Sequence, residues 1–336
     1  MCDCLTPVHT GHAPPTRLLV EGPSAEELER TFVYVVGGRE RGHTLGFVER
    51  FSPARQVWEQ CPHMIEQRGS HAAAAVDGHL YAFSGGGIVS NVGTCECMEP
   101  ATHEWHYVAG MATKRHALAA VAGHDAIYAV GGWEDGSRCT AAVEAFSPRE
   151  NAWTLRPPML QARRLHGLAM LDGFLYAFGG ASDDTVDIRH AERFCLDSQK
   201  WEQIRDLPAA SCACAAAVDG FVYVLLWGKS VLRFDPRGGE GGEYTKVASL
   251  PLPEWYGFAV AVVGPDILAF GGATKGRWSN QAFRFSTRAL RWSPLPSMTR
   301  VRRRCAAAAC MLPPDTPPPA PPAAVPERVR SPDAQG

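Results

Sequence analysis

The stretch MATKRHALAAVAGHDAIYAVGG, residues 111–132, decides the fold. It contains a run of small residues (HALAAVAG, 116–123), a turn, and a short β-branched and aromatic run ending on Gly131-Gly132. Short apolar runs bounded by turn residues are strands, and no helical 3.6-residue period competes with them anywhere in the chain. The second half of the pattern recurs. FVYVVGG ends at Gly37-Gly38, LYAFSGG at Gly85-Gly86, LYAFGG at Gly179-Gly180 and ILAFGG at Gly271-Gly272. Successive glycine pairs are 48, 46, 48 and 92 residues apart. The last step is twice 46, and a degenerate copy, FVYVLLWG, lies midway with Leu226-Trp227 where the glycines should be. There are six copies.

Other landmarks keep the same period. Trp58, Trp105, Trp153, Trp201 and Trp292 follow their glycine pairs by 20 to 22 residues, and the degenerate copy offers Tyr244 instead. ERFSP (49–53), EAFSP (144–148) and RFDP (233–236) fall between the two landmarks. HAAAAVDG (71–78), HGLAMLDG (166–173) and CAAAVDG (214–220) repeat the small-residue run. Each copy therefore reads as four short strands, and such a unit cannot bury both faces alone. The residue types fit a ring of wedge-shaped blades. Small residues suit inner strands that converge on an axis. A tryptophan fills the widening gap outside, and paired glycines let a strand end turn sharply and another strand approach. The first copy lacks a small-residue strand of its own, whereas Arg304–Leu312 lacks a glycine partner. The expectation is that this C-terminal strand closes the first blade, with Thr16–Glu21 as the other candidate.

A glycine pair after an apolar strand, a tryptophan about 21 residues on and a period near 47 resemble the kelch repeat of six-bladed β-propellers. The resemblance covers residues 31–312 and is nearest to the propellers of BTB-kelch proteins. It implies an all-β fold of four-stranded blades. Two departures stand out: the fifth copy carries RGGEGGEY (237–244) and lacks Gly-Gly and Trp, and only about thirty residues precede the first copy. BTB and BACK regions, which would bind a cullin, are therefore not expected in this sequence. Residues 1–30 are expected to be a largely disordered extension. Residues 313–336, with eight prolines before Arg328, are expected to be a disordered, polyproline-rich tail bearing a P-x-x-P spacing at 318–321.

The chain has 336 residues, and Lys+Arg 33 against Asp+Glu 35 leave a formal charge of −2. A general nucleic-acid binder would need a basic excess. No apolar stretch reaches the roughly 18–20 residues of a spanning helix, and the N-terminus lacks the order of a signal peptide. A soluble protein of the cytoplasm or nucleus is expected, with its eleven cysteines reduced. Arginine outnumbers lysine 28 to 5, which favours fork-shaped contacts to carboxylates.

The resemblance implies a protein-binding face where the loops leading into the inner strands converge. Those loops hold Arg68, Arg115, Arg163, Arg164 and Arg302–Arg304. Arg68, Arg115, Arg163 and Arg302 each lie four residues after a methionine, so they take equivalent places, while the fifth and sixth copies offer Ser211 and Glu254-Trp255-Tyr256. Two readings stand. A ring of guanidinium groups beside an aromatic sector suits an acidic or phosphorylated peptide with an apolar anchor. Alternatively, the same arginines tie loops together through backbone carbonyls. His71, His166, Cys214 and Cys305 follow at one further equivalent place, but a ring several ångströms wide matches zinc ligation poorly, and no metal or cofactor is expected. The C-x-C pairs at Cys2/Cys4, Cys95/Cys97 and Cys212/Cys214 lack a zinc partner motif. No nucleophile elbow, P-loop, H-E-x-x-H or dinucleotide fingerprint occurs. The reading is a non-enzymatic protein-binding module, such as a substrate adaptor for ubiquitin ligation. A propeller enzyme acting on a small molecule and an actin-binding scaffold are the alternatives.

Overall fold

A computed structural model describes residues 22–87, 91–99, 102–123, 125–135, 138–185 and 187–313. The Cys2/Cys4 pair, the alternative inner strand at 16–21 and the tail beyond Pro313 lie outside these residues. Among the described residues the chain is all-β apart from one short helix.

Six antiparallel sheets have four strands each. The first combines both ends of the described chain: Ala306–Met311, Thr31–Val36, Val48–Ser52 and Val57–Cys61, in that order. Its register runs from Thr31 opposite Met311 to Val36 opposite Ala306. Sheets 2 to 6 follow in sequence. Their first strands are Ala72–Val76, Ala119–Ala122, Gly167–Leu171, Ala213–Val218 and Ala259–Val263, and each sheet is an up-and-down meander. Every first strand lies against the first strand of the next sheet, and that of sheet 6 lies against Ala306–Met311.

Small side chains make that convergence sterically feasible, and large ones fill the space farther out. Phe83 and Trp153 meet edge to face at 5.3 Å between sheets 2 and 3, as Phe270 and Trp58 do at 5.5 Å between sheets 6 and 1. The outer tryptophans also sew neighbouring sheets together. Trp58 Nε1 donates to the Pro296 carbonyl, Trp105 to Pro62, Trp153 to Ala109 and Trp201 to Pro157, at 2.8 to 3.2 Å. Tyr244 makes the same bridge with its hydroxyl, 2.8 Å from the Arg205 carbonyl. A tyrosine thus keeps both the apolar filling and the polar stitch.

The paired glycines answer a close approach. Gly37 and Gly131 have φ +53° and +60°, and a Cβ at either would stand 2.5 Å from the carbonyl oxygen of Arg68 or Arg163 in the next sheet. Sheet 5 avoids this need. Its second strand runs through Leu226 and turns back by Ser230, whereas the corresponding connection in sheet 4 spans Phe178 to Ala191. Sheet 5 therefore projects no long loop on that face.

The end of the N-terminal extension carries a helix that the sequence reading did not anticipate, Ala25–Arg30, with a capping box between Ser24 and Glu27. Leu28 packs against the core, and Arg30 and Leu312 exchange hydrogen bonds at 3.0 Å, which ties the helix to the closing strand. Six residues with polar neighbours give too short a period to be read from sequence.

Candidate functional site

Arg68, Arg115, Arg163 and Arg302 do take equivalent places, but those places are interior. All four are fully buried. Each guanidinium meets a buried carboxylate at the second residue of its sheet's third strand: Glu96 at 2.8 Å, Glu144 at 3.1 Å, Glu192 at 2.7 Å and Glu49. The remaining N–H groups donate to carbonyls, as Arg163 does to Gly179 and His190 at 3.0 and 2.8 Å. Each glutamate also accepts backbone N–H groups from the loop that brings in its arginine. Glu192 takes those of Leu160 and Gln161, and Glu49 that of Thr299. A buried charge persists only when so paired. The binding-face assignment is therefore corrected for these four residues, and the loop-tying reading holds.

The same correction covers Ser211 and Trp255, which are 2% and 0% exposed. In sheet 6 the strut changes both members together. Trp255 replaces the arginine, donating its indole N–H to the Gly271 carbonyl at 2.7 Å, and Phe283 replaces the glutamate, with ring centroids 5.5 Å apart. The recurring acid in VERF (48–51), CECM (95–98), VEAF (143–146) and AERF (191–194) is the sequence signal that was missed.

The exposed part of these loops begins one residue farther on. Above the struts, backbone hydrogen bonds join sheet to sheet around the axis. Ser70 N–H donates to Arg304 O, Ala117 to Ser70, Leu165 to Ala117, Ala213 to Leu165 and Arg304 to Gly257, at 2.6 to 3.2 Å. Arg304, Arg303 and Arg164 stand at this collar, and Arg39 joins them because Arg39 and Arg303 form an antiparallel bridge. All four are partly exposed. Arg164 stacks on Trp133 at 3.8 Å and Arg303 on Trp278 at 5.0 Å, which fixes the planes of both guanidinium groups. Among the described residues, none of the four has an ion-pair partner. Tyr256 and Trp227 form an aromatic sector beside them, 6.5 Å apart, over the short connection of sheet 5.

The electrostatics record this crowding of like charge. Burial, then Arg303, Arg39 and Arg164, hold the Arg304 pKa below its ordinary value. His116, whose ring is 2.8 Å from the Asn91 side-chain oxygen, is likewise lowered by burial and then by Arg304, Arg39 and Arg164. Arg164, Arg303, Arg304 and Tyr256 were legible in the sequence. Arg39, His116, Trp133 and Trp278 were not singled out there.

His71, His166 and Cys305 lie deeper and are buried, with Cys214 partly so. Burial lowers both histidines to about 3 and raises Cys214 to about 12 and Cys305 to about 11. Cys95, Cys97 and Cys212 are buried thiols too, raised to about 11, 11 and 12. Among the described residues no three His, Cys, Asp or Glu side chains gather as a metal site.

Repeated four-stranded sheets with glycine and tryptophan landmarks make this an all-β repeat protein. The chain carries Kelch motifs by a family model that matches residues 67–112, 114–160 and 254–299. It is homologous over this region to kelch-like proteins. Kelch-like protein 36 of Bos taurus is 29% identical over 197 residues, covering 54% of this chain and 31% of the relative. Kelch-like protein 26 of Danio rerio is 28% identical over 193 residues, covering 55% and 32%. Kelch-like protein 35 of Mus musculus is 28% identical over 224 residues, covering 63% and 37%. The chain thus spans about a third of the length of these relatives.

Proposed function

We propose that the six sheets are the blades of a closed kelch propeller that works as a non-enzymatic protein-binding module, gripping an acidic segment of its partner. The single observation that carries the acidic character is the convergence of Arg39, Arg164, Arg303 and Arg304 at the axis without a carboxylate partner among the described residues. Guanidinium groups held flat on indole rings are pre-organised for carboxylates or phosphate. The Trp227–Tyr256 sector supplies a place for an apolar anchor. Kelch-like relatives make a substrate adaptor for ubiquitin ligation, in the cytoplasm or nucleus, the role we favour.

Affinity capture with wild type beside Arg164→Glu/Arg303→Glu tests the reading. The expected outcome is a set of captured proteins lost in the variant, with the unfolding midpoint unchanged. Equal capture by both proteins would remove the basic mouth from the function.

A further inference from the structure

We propose that Arg39, His116 and Arg164 form one binding site for a phosphoryl dianion, set off the axis over sheets 2 and 3. At the mouth, residues pair across each sheet: Arg303 faces Arg39, Gly69 faces Gly86, His116 faces Trp133 and Arg164 faces Ala181. Sheet 2 thus offers no side chain at its place, and Arg39 of sheet 1 fills the gap. A Cβ at Gly69 would stand 2.8 Å from Arg39 Cγ, and one at Gly86 3.0 Å from its Nη2. From the opposite side, Arg164 of sheet 4 lies over the Trp133 ring of sheet 3 at 3.8 Å. Asn91 links the two floors. It bridges Gly86, donates its Nδ2–H to the Trp133 carbonyl at 3.2 Å and turns its Oδ1 to His116 at 2.8 Å. The two guanidinium groups therefore approach from sheets 1 and 4, with the imidazole on the floor that joins them.

Three donors suit a phosphoryl group, which has three acceptor oxygens and close to two charges, better than a carboxylate. Asn91 also fixes which imidazole nitrogen answers. Its Nδ2–H is committed to Trp133, so its Oδ1 accepts from His116 Nδ1–H, and Nε2 is left to take up a proton. The charged groups about His116 are Arg304 and Arg39 from sheet 1, Arg164 from sheet 4, and Asp135 from its own sheet. Glu134 is turned to Arg138, at 3.4 Å. Burial and then the three arginines keep the imidazole neutral, against Asp135. A dianion beside it reverses that balance, so binding takes up a proton and strengthens as pH falls towards the ordinary histidine range. This inference rests on the basic mouth of the protein-binding reading and narrows its acidic ligand to a phosphoryl group.

NMR titration of the full chain, followed at the histidine ring C–H signals, tests it with four probes. These are a pentapeptide of phosphoserine between glycine pairs, its glutamate counterpart, inorganic phosphate and sulfate. The phosphopeptide should move the His116 signal, identified by its loss in His116→Gln, and bind about tenfold tighter than the glutamate peptide. Arg39→Gln and Arg164→Gln should each weaken it about tenfold or more. Sulfate keeps its two charges throughout, so it isolates the proton. Its affinity should rise by up to about tenfold per unit as pH falls from 7.5 to 5.5, and stay flat in His116→Gln. A phosphopeptide preferred over inorganic phosphate assigns the group to a modified partner, and equal affinity assigns it to the free ion; both keep the site. Equal binding of the glutamate peptide overturns the proposal and leaves the protein-binding reading standing, since affinity capture tests that reading separately. Sulfate binding with the same pH profile in wild type and His116→Gln, or no shift of the His116 signal with any probe, also overturns it.

Discussion

His71 and His166 show how a residue's neighbours set its chemistry. Both imidazoles are about 95% buried, and neither ring nitrogen has a hydrogen-bond partner. Burial, then Arg68 and Arg302, holds His71 down to about 3, and burial, then Arg163 and Arg115, does the same for His166. Both are neutral in the folded protein, while in the unfolded chain each titrates near 6.5. The unfolded state therefore binds more protons below that pH, and stability falls as pH drops from about 6.5 towards 3. Each histidine contributes a slope of about 1.4 kcal/mol per pH unit across that window. Leu118 occupies the corresponding place in sheet 3, so His71→Leu/His166→Leu puts in a side chain the fold already uses there. Urea unfolding of both proteins between pH 7 and pH 4.5 should give a shallower acid loss in the double variant, by close to two such slopes. Identical pH profiles would show that these imidazoles are not held neutral.

At the scale of the element, each Arg–Glu strut closes the loop between one sheet's outer strand and the next sheet's inner strand. Glu192→Val strands the Arg163 charge and leaves the Leu160 and Gln161 N–H groups without their acceptor. The expected cost is about 3–5 kcal/mol by denaturant unfolding. The double variant Arg163→Trp/Glu192→Phe copies sheet 6 and should recover about 2 kcal/mol or more of that loss. A double variant no more stable than Glu192→Val would show that the two struts are not interchangeable. Trp153→Ala removes both the contact with Phe83 and the bond to Ala109, and should cost about 3 kcal/mol for this half-buried ring. The repeat was legible because strand ends that need Gly37 or Gly131, and gaps that need Trp153, admit few alternatives. The struts were less so. An arginine four residues after Met159 looks like a surface loop residue until Glu192, far along the chain, is seen to share its blade. The mouth was half legible for the same reason: Arg164 and Arg303 sit in the repeated loop, whereas Trp133, Trp278 and Arg39 come from connections between second and third strands, which vary from copy to copy.

For the whole molecule, the decisive feature is that its first sheet is completed last. Thr31–Val36 is fully buried and made of TFVYVV, the type of strand that aggregates when its edge is open. Its edge is covered by Ala306–Met311, six residues from the other end of the repeats, and the same strand lies against the inner strands of sheets 2 and 6. Removing it exposes the edge of Thr31–Val36 and takes away the contacts it makes with the inner strands of sheets 2 and 6. It also frees the short helix, since Arg30 and Leu312 lose their mutual bonds. A long-range pairing of this kind forms late and at high entropic cost, so its loss cannot be offset locally. A chain ending at Cys305 should therefore be recovered mainly as aggregate, and any soluble fraction should lose the cooperative thermal transition of the full chain. A synthetic peptide of residues 306–313 added during refolding should restore that transition, because it supplies the missing strand. Were the truncated chain to unfold at the full chain's midpoint, closure by the C-terminal strand would be dispensable, and the stability of the molecule would have to reside in the five other sheets alone.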